Sequence, residues 1–345
     1  MATGTPWSGS EFEAIEAIGK LLGPPPPGQV WIGDDAAVLA LDPGSGADPP
    51  APYGSAPSES ATYGSAPSGS APRPAGPGPN YLMATDLVVA GVHGDLDLVG
   101  LDDLGWKALA VNVSDIAAMG GWPMHAVVSI AGPSSTDLEL VYVGLSQASV
   151  EYECPIVGGD LSDAPSLVIC VAITGTTRGH PALLRSGASV GDALFTTGPL
   201  GASAAGLARL RQGEGPAWPE LVERHRRPRA RVQEGQAARQ GGASAMIDVS
   251  DGLAADLDHL GSRSNVGLVL DHVPVAPGAS FDEALGGGED YELVFSAPDP
   301  ERVLDAFAAA GLRAPLVLGW CSADPTERRL GNLPLPLLGW THRRG

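Results

Sequence analysis

The order of apolar and polar positions along this chain predicts strands and helices that follow one another. Residues 81–89 form an apolar run of strand length, whereas 101–121 and 136–153 carry apolar side chains at helical spacing. Strand-like runs and helical spacing also follow one another in the second half of the chain, where residues 253–264 and 300–311 have the helical spacing. Strands that alternate with helices favour an α/β fold, here with mixed sheets.

Residues 43–79 break this pattern. The segment is dominated by Pro, Gly, Ser and Ala and contains the unit YGSAPS twice, at 53–58 and 63–68. Such a composition buries too little apolar surface to offset the entropy lost on ordering. We expect a disordered insertion between two predicted strands, 30–41 and 81–93. An inert, expanded hairpin loop is the plainer interpretation, and a partner-binding segment is the alternative.

Length and composition fit two domains of ordinary size in 345 residues. The chain is 43% hydrophobic but only 5% aromatic, so Ala, Val and Leu must fill the core. Halves of similar length, each with strands and helices, meet near residues 150–180. We therefore predict an N-terminal domain over 1–155 and a C-terminal α/β domain over 156–345.

The net charge of the chain argues against some classes of binding partner. The formal net charge is −20, which argues against a general affinity for nucleic acid or an anionic membrane. It suits a protein that handles cations or metal-bound ligands. Lysine occurs only at Lys20 and Lys107. The one basic run, RHRRPRAR at 224–231, is interpreted as a solvated face, or as a segment that lies near a nucleotide or balances nearby acids.

Cysteine usage and hydropathy predict a cytoplasmic protein. Cys154, Cys170 and Cys321 are far apart, form no CxxC pair and suggest no disulfide framework. The N-terminal stretch MATGTPWSGSEFEAIEAIGK has no apolar region of the signal-peptide type. No stretch approaches ~18 uninterrupted apolar residues, so we expect no membrane span.

Acidic side chains recur where predicted strands end or turns begin. They are Asp35, Asp86, Asp115, Asp160, Asp248, Asp251, Glu289 and Asp290. Loops at strand ends are where α/β proteins build their sites. Carboxylates suit Mg²⁺, which commonly binds one or two of them together with phosphate oxygens and water. No cluster of His and Cys suggests zinc.

Two of these acidic positions have plainer interpretations that stay open. Asp34 and Asp35 in GDDAAVL could form a solvated turn. Asp115 lies in an almost wholly apolar helix, where an ionised side chain needs a partner. Within that helix the only cation is Lys107, two turns away, so a metal ion is the economical partner. Hydrogen bonds to a neighbouring backbone are the alternative.

The later acidic motifs also admit simple structural roles. Ser250 could cap the following helix, with Asp251 in its first turn. That role leaves Asp248, at the end of the preceding strand, unexplained. Asp160 follows two glycines and could belong to a simple turn, although glycine also lets a backbone approach a phosphate closely.

Several nucleotide-binding signatures are missing from the chain. There is no GxxxxGK[ST], no VAIK, HRD or DFG, and no GxGxxG after a first strand. P-loop and protein-kinase-like sites are therefore excluded, and a dinucleotide site is disfavoured. With so few lysines, several Mg²⁺ ions and a few arginines must meet polyphosphate charge. We predict a multi-metal site for in-line phosphoryl transfer without a covalent intermediate, so no catalytic nucleophile is expected.

Seven motifs, in chain order, resemble those of the thiamine-monophosphate kinases, within the aminoimidazole-ribonucleotide-synthetase-like superfamily. They are IGDDAAVL, ATDLVVAGVH, WKALAVNVSDIAAMGG, IVGGD, LLRSGASVGD, IDVSDGLAADLDHL and GGGEDYELVF. The resemblance implies the two-domain fold of that superfamily, with ATP and metal binding and dimerisation in residues 1–155. It implies a homodimer whose N-terminal domains pair through their sheets. It also implies Mg²⁺- and ATP-dependent phosphorylation of thiamine phosphate to thiamine diphosphate, the last step of thiamine diphosphate biosynthesis.

The resemblance assigns roles to individual residues. Metal ligands would be Asp35, Thr85, Asp86, Asp115, Asp160, Asp248 and Asp251, and Asp34 is left open as a further member. ATP contacts would be Gly159, Asp160, Arg185 and Ser250. Contacts to thiamine phosphate would be His93, Glu289 and Trp340. Trp340 suits stacking against an aromatic heterocycle, and an ordinary hydrophobic anchor is its other interpretation.

Other functions compete with this one. One is an ATP-dependent ligase or cyclase of the same superfamily that acts on a purine intermediate. Another is a module that sequesters thiamine phosphates without catalysis. A selenophosphate synthetase would need a reactive cysteine near its N-terminus, whereas the first cysteine here is Cys154. A carbamoyl-transferring hydrogenase-maturation protein would end in a reactive cysteine, whereas this sequence ends THRRG.

Overall fold

The computed structural model describes residues 25, 29–30, 34–40, 80–336 and 338–340. These residues form one five-stranded and one seven-stranded sheet, with helices packed against each. The predicted mixed α/β fold with two domains is confirmed. The predicted insertion lies outside the described residues, so its disorder stays a prediction.

The first sheet has the strand order β1-β2-β5-β3-β4. Its strands are β1 (Ala37–Ala40), β2 (Asn80–Val89), β3 (Trp122–Gly132), β4 (Ile156–Asp163) and β5 (Val168–Thr176). Neighbouring strands are antiparallel except β3 and β4, which are parallel. Every second residue of β5 is buried, the pattern of a sheet with one covered face.

Two helices, α1 (Leu101–Ala118) and α2 (Leu138–Glu151), pack together beside this sheet. A Cβ on Gly144 would lie 1.7 Å from the carbonyl oxygen of Asp102, and one on Gly105 would lie 2.1 Å from that of Val141. Only glycine permits so close an approach of the two helices. Helix α1 is consequently buried over most of its surface, which explains why it is apolar nearly all round.

The uncovered side of the first sheet presents large apolar side chains. We call the following three residues the exposed apolar face, since the strand register places them on one side of the sheet and each is between 43% and 53% exposed: Met83, Leu87 and Val127. Contiguous apolar surface of this kind is typical of interaction sites.

The second sheet has the order β12-β11-β8-β10-β6-β9-β7. Its strands are β6 (Ala193–Thr196), β7 (Ala245–Asp248), β8 (Gly267–Leu270), β9 (Leu293–Ala297), β10 (Leu316–Ser322), β11 (Arg328–Leu330) and β12 (Leu333–Pro334). Only the β8–β11 pair is parallel. Strands β7, β8 and β9 are buried throughout, as expected for continuous apolar runs.

Six α-helices of the described chain accompany the second sheet. They are α3 (Ala202–Arg211), α4 (Pro219–Arg226), α5 (Val232–Gln240), α6 (Leu253–Ser264), α7 (Phe281–Gly286) and α8 (Pro300–Ala309), with a 3₁₀ turn at Gly215–Ala217. Helices α4 and α5 were not predicted, because they are short and rich in charged residues and so lack an apolar period. None of the described helices is both long and apolar enough to cross a membrane.

The first sheet continues past the predicted boundary between residues 155 and 156. Strands β4 and β5 pair with β2 and β3, so this sheet ends at Thr176. Local apolar patterns identify a strand but not the sheet that it joins, because the pairing partners are distant in sequence. The glycine turn expected before Asp160 is also absent from the structure. Gly158 and Gly159 lie within β4, and a Cβ on Gly159 would meet the carbonyl oxygen of Val128 at 1.8 Å.

The basic run connects helices that belong to different domains. Arg227 donates to Asp102 at 2.7 Å and to Asp103 at 2.8 Å, both at the start of α1. Arg231 pairs with the buried carboxylate of Glu292, next to β9. Of the interpretations given above, the one in which this run balances nearby acids agrees with these contacts.

Candidate active site

A cleft of about 980 Å³ is lined by residues of both domains. It brings together most residues that the sequence singled out, from positions far apart in the chain. The predicted residues in its lining are Asp34, Asp35, Thr85, Asp86, His93, Asp115, Arg185, Asp248, Ser250, Asp251, Glu289 and Trp340.

Three carboxylates form the centre of the cleft. Asp35 stands just before β1, Asp115 lies in the last turns of α1, and Asp248 ends β7. Each offers an oxygen atom, and these atoms all lie within 4.8 Å of one another. Like charges this close repel unless protons, cations or hydrogen bonds intervene.

Burial and mutual repulsion raise the pKa values of two of these carboxylates, those of Asp115 and Asp248. Desolvation, and then the charges of Asp86 and Asp248, raise the pKa of Asp115 well above its ordinary value. Desolvation, followed by the charge of Asp35, likewise raises the pKa of Asp248, although Ser114 Oγ donates to its carboxylate at 2.5 Å. A bound cation would relieve both effects.

Arg185 places a positive charge at this carboxylate cluster. Arg185 Nη2 donates to Asp35 Oδ1 at 2.5 Å, and the backbone N–H of Arg185 donates to Asp34 Oδ1 at 2.6 Å. The surrounding carboxylates raise the pKa of the Arg185 guanidinium further, so it stays charged. The pKa of Asp34 is also raised, chiefly by burial. Asp34 is thus occupied by a backbone contact, which leaves Asp35 as the member of the pair that faces Asp115.

The donor set fits a hard divalent cation. Asp35 Oδ2 is buried and has no hydrogen-bond partner in the described part of the chain. Buried polar atoms are normally satisfied, so an unpartnered carboxylate oxygen inside a cluster of acids points to a cation. The atoms available are carboxylate oxygens, which are the ligands that Mg²⁺ prefers.

Strand β2 delivers two more predicted ligands to the same region. The backbone N–H of Asp86 donates to Asn112 Oδ1 at 2.9 Å, and Asn112 is fully buried in α1. This bond fixes the end of β2 against the helix that carries Asp115. Thr85 Oγ1 donates to the carbonyl of Val171 at 2.8 Å, so its hydroxyl is already engaged within the sheet.

The turn after β7 places Ser250 and Asp251 beside the cluster. The predicted helix cap at Ser250 is not observed, because the N-cap of α6 is Gly252, with φ of 123°. Asp256, in the first turn of α6, performs the capping instead. Its Oδ2 accepts from the backbone N–H of Asp251 at 3.1 Å and from that of Gly252 at 3.0 Å. Ser250 and Asp251 both line the cleft.

A second part of the cleft is organised around Glu289. This residue has φ of 65°, a conformation that non-glycine residues adopt rarely and mostly at functional sites. Lys107 Nζ donates to Glu289 Oε2 at 3.0 Å and to the carbonyl of His93 at 2.9 Å. Lys107 is only 2% exposed. The helix cation considered as a partner of Asp115 is therefore committed to the two predicted substrate residues instead.

Trp340 closes one side of the cleft near the end of the described chain. Its backbone N–H donates to the carbonyl of Asp251 at 2.9 Å. The residue is 56% exposed, so the indole is not a buried tail anchor. Its position in the cleft lining leaves an aromatic surface accessible to a ligand.

Gly159 and Asp160 are not among the residues that line this cleft. Both lie in β4, the strand at one edge of the first sheet, and both are exposed. The close approach of β4 to β3 accounts for glycine at 159. Contact of these two residues with ATP stays a prediction.

Sequence reasoning missed several polar residues that shape the site. They are Lys107 as a partner of Glu289, Asn112 as the acceptor of the Asp86 backbone N–H, Ser114, Asp256 and His225. Helix α1 did contain a usable signal, because three buried polar side chains in an apolar helix require partners outside it. His225 gave no such signal, since it lies inside a charged run.

Comparison with known proteins identifies both domains. The family model described as "AIR synthase related protein, N-terminal domain" matches residues 62–177. The model described as "AIR synthase related protein, C-terminal domain" matches residues 189–329. The gap between the two matches agrees with the end of the first sheet at Thr176.

Curated relatives narrow the family. The thiamine-monophosphate kinase of Bacillus subtilis (strain 168) is 34% identical over 256 residues, which cover 69% of this chain and 79% of the relative. The thiamine-monophosphate kinase of Salmonella typhimurium (strain LT2) is 39% identical over 261 residues, covering 70% of this chain and 79% of the relative.

The comparison with solved structures agrees with the comparison with curated relatives. The structure described as AaThiL complexed with AMPPCP and TMP has a TM-score of 0.76 and 30% identity, and covers 97% of both chains. The hydrogenase maturation protein HypE of E. coli has a TM-score of 0.62 and 20% identity, covering 75% of this chain and 87% of its own; this likeness concerns the fold alone. With two matched domains and relatives above 30% identity over most of their length, the chain belongs to the AIR synthase related proteins and, among them, to the thiamine-monophosphate kinase family.

Proposed function

We propose that this protein transfers the γ-phosphate of ATP to thiamine phosphate, forming thiamine diphosphate and ADP. The observation that carries the proposal is the cluster of Asp35, Asp115 and Asp248, whose carboxylate oxygens lie within 4.8 Å of one another in the cleft. A relative with 30% identity has been solved with AMPPCP and TMP, which supports ATP and thiamine phosphate as the two substrates.

The residues that would hold Mg²⁺ are those of this cluster and the oxygen-bearing residues that line the cleft with it. Asp35, Asp115 and Asp248 form its centre, and Asp86, Thr85 and Asp251 line the same cleft. When bound, several Mg²⁺ ions would neutralise phosphate charge and orient the transferred group for direct in-line attack. Asp160, on the exposed edge strand, stays a proposed ligand that this cleft does not include.

The chain's own groups provide the remaining positioning. Arg185 stays charged and is fixed by Asp35 at 2.5 Å, so its guanidinium is oriented before any phosphate arrives. Ser250 stands beside Asp251 in a turn that Asp256 holds. Pre-oriented charge of this kind is the main contribution that a protein makes to phosphoryl transfer.

The acceptor would bind at the end of the cleft formed by His93, Glu289 and Trp340. A half-exposed indole suits stacking on an aromatic heterocycle. The carboxylate of Glu289 is held by Lys107 and accepts hydrogen bonds, so it suits an N–H donor on the acceptor. No covalent nucleophile is required, because the phosphate of the acceptor attacks directly.

We further propose a homodimer in which the first sheets of two copies pair. The exposed apolar face supports this arrangement, because apolar side chains grouped on the open side of a sheet are typical of interaction sites. A cytoplasmic location and a place at the last step of thiamine diphosphate formation stay predictions.

The test is an assay of purified protein with ATP, Mg²⁺ and thiamine phosphate, in which chromatography separates the thiamine species. Formation of thiamine diphosphate with an equal amount of ADP is the expected result. ATP binding without that product would contradict the proposal and favour a ligase or cyclase that acts on a purine intermediate. Binding of thiamine phosphate without ATP consumption would favour a sequestering module.

A further inference from the structure

A buried histidine beside Glu289 has no role in the function proposed above. His225 is the second-last residue of α4 and is 3% exposed. Its ring lines the same cleft as Glu289. Nδ1 lies 3.2 Å from Ser203 Oγ and 3.6 Å from Glu289 Oε2. A histidine buried this deeply between two polar partners is constrained in orientation.

The charge state of this ring follows from its surroundings. Burial, and then the positive charges of Lys107, Arg211 and Arg226, lower the pKa of His225 to about 3. The ring is therefore neutral in ordinary buffers, and its contact with Glu289 is not an ion pair. A neutral imidazole carries a single N–H, and which nitrogen bears it decides what the ring can do.

The contacts favour the proton on Nδ1. Glu289 presents a carboxylate, which only accepts hydrogen bonds, so an N–H on the facing nitrogen makes that approach attractive. Ser203 Oγ can accept from the same N–H. Nε2 is buried without a hydrogen-bond partner in the described chain, and an orphaned lone pair is tolerated more readily than an orphaned N–H.

We propose, on the basis of the function proposed above, that His225 is a positioning residue for the acceptor substrate. Together with Lys107 it holds Oε2 of Glu289 in place. The hydrogen bond and ion pairs that the described residues make with this carboxylate involve Oε2, and the Glu289 side chain is 24% exposed. Oε1 is thereby left to face thiamine phosphate and to accept a hydrogen bond from it.

Three substitutions separate this role from simple packing. Asparagine carries an amide nitrogen near the position of Nδ1, glutamine carries one near Nε2, and phenylalanine keeps the ring without either. We expect His225→Phe to raise KM for thiamine phosphate roughly tenfold, as for loss of a hydrogen bond to a charged group, with KM for ATP unchanged. His225→Asn should recover most of that loss, and His225→Gln should not.

His272→Phe is the matched control, because this histidine is exposed and does not line the cleft. It should leave both KM values unchanged. Thermal unfolding of each variant shows that it is folded. Three results would overturn this inference and leave the proposed function standing. They are a rise in both KM values together, equal effects of His225→Asn and His225→Gln, and no effect of His225→Phe. Wild-type protein that forms no thiamine diphosphate would overturn the proposed function, and this inference with it.

Discussion

Lys107 Nζ lies 3.0 Å from Glu289 Oε2, so a buried lysine of the first domain is paired with a carboxylate of the second. The same ammonium group donates to the carbonyl of His93. Lysine is rarely buried without such partners. The pair therefore ties two predicted substrate residues together across the domain boundary, and its removal should disturb binding and stability alike.

Lys107→Met tests this pairing. The substitution leaves Glu289 without its cation, and breaking a largely buried ion pair should lower the free energy of unfolding by about 3 kcal/mol. It should also raise KM for thiamine phosphate. Urea unfolding and steady-state kinetics measure the two effects. In the double variant Lys107→Met/Glu289→Gln part of the stability should return, because the unpaired charge is gone. Strictly additive losses would contradict the pairing.

Asp115→Asn tests the carboxylate cluster. We expect turnover to fall by at least roughly 100-fold, because a metal ligand beside the transferred phosphate is lost. The fold should survive, and in metal-free buffer the variant should be slightly more stable than wild type, because it removes one of three repelling acids. Activity assays and melting temperatures in EDTA provide the measurement. A folded variant with wild-type activity would remove Asp115 from the mechanism.

The stability of the metal-free protein should depend on pH in a defined direction. Burial raises the folded-state pKa of Asp115 and Asp248 above the unfolded value, which is about 4. The folded state then binds more protons than the unfolded state, so stability is lost as pH rises from about 4 through the raised pKa values. Added Mg²⁺ should cancel this loss. Melting temperatures between pH 5 and 9, with EDTA or Mg²⁺, test it, and an identical slope in both would contradict a metal at this cluster.

Arg227→Ala tests the connection between domains made by the basic run. Arg227 contacts Asp102 and Asp103 at 2.7 and 2.8 Å and is 21% exposed. A partly exposed charge network of this kind should contribute about 1 kcal/mol, less at high salt. The control is Arg229→Ala, since Arg229 is exposed and lies in the same run. Equal effects of the two substitutions in urea unfolding would argue against the contact.

Val127→Asp tests the proposed dimer. Val127 lies on β3 within the exposed apolar face and is 43% exposed. A carboxylate there should weaken pairing of two sheets by desolvation and repulsion while leaving the fold of one chain intact. Light scattering should show a dimer for wild type and a monomer for the variant. A wild-type protein that is monomeric at every concentration would contradict the proposal.

The sequence by itself determined the elements and the chemistry of the site. Apolar periodicity located α1 and the strands around it, and acidic residues beside strands and within an apolar helix marked Asp35, Asp115 and Asp248 as members of one site. These features are local, because a strand end or an apolar helix is recognised from the pattern of residues that are adjacent in the sequence. The resemblance of the motifs pointed to a family that the comparisons bear out.

The tertiary structure decided which side chains and which strands pair with one another. Lys107 was the nearest cation to Asp115 along the helix, yet it faces Glu289, 182 positions away. Strands β4 and β5 joined the first sheet beyond the predicted boundary, and Asp256 replaced Ser250 as the cap of α6. Pairing of this kind depends on the distances between groups that are remote in sequence, and only the packing of the two sheets and their helices sets those distances.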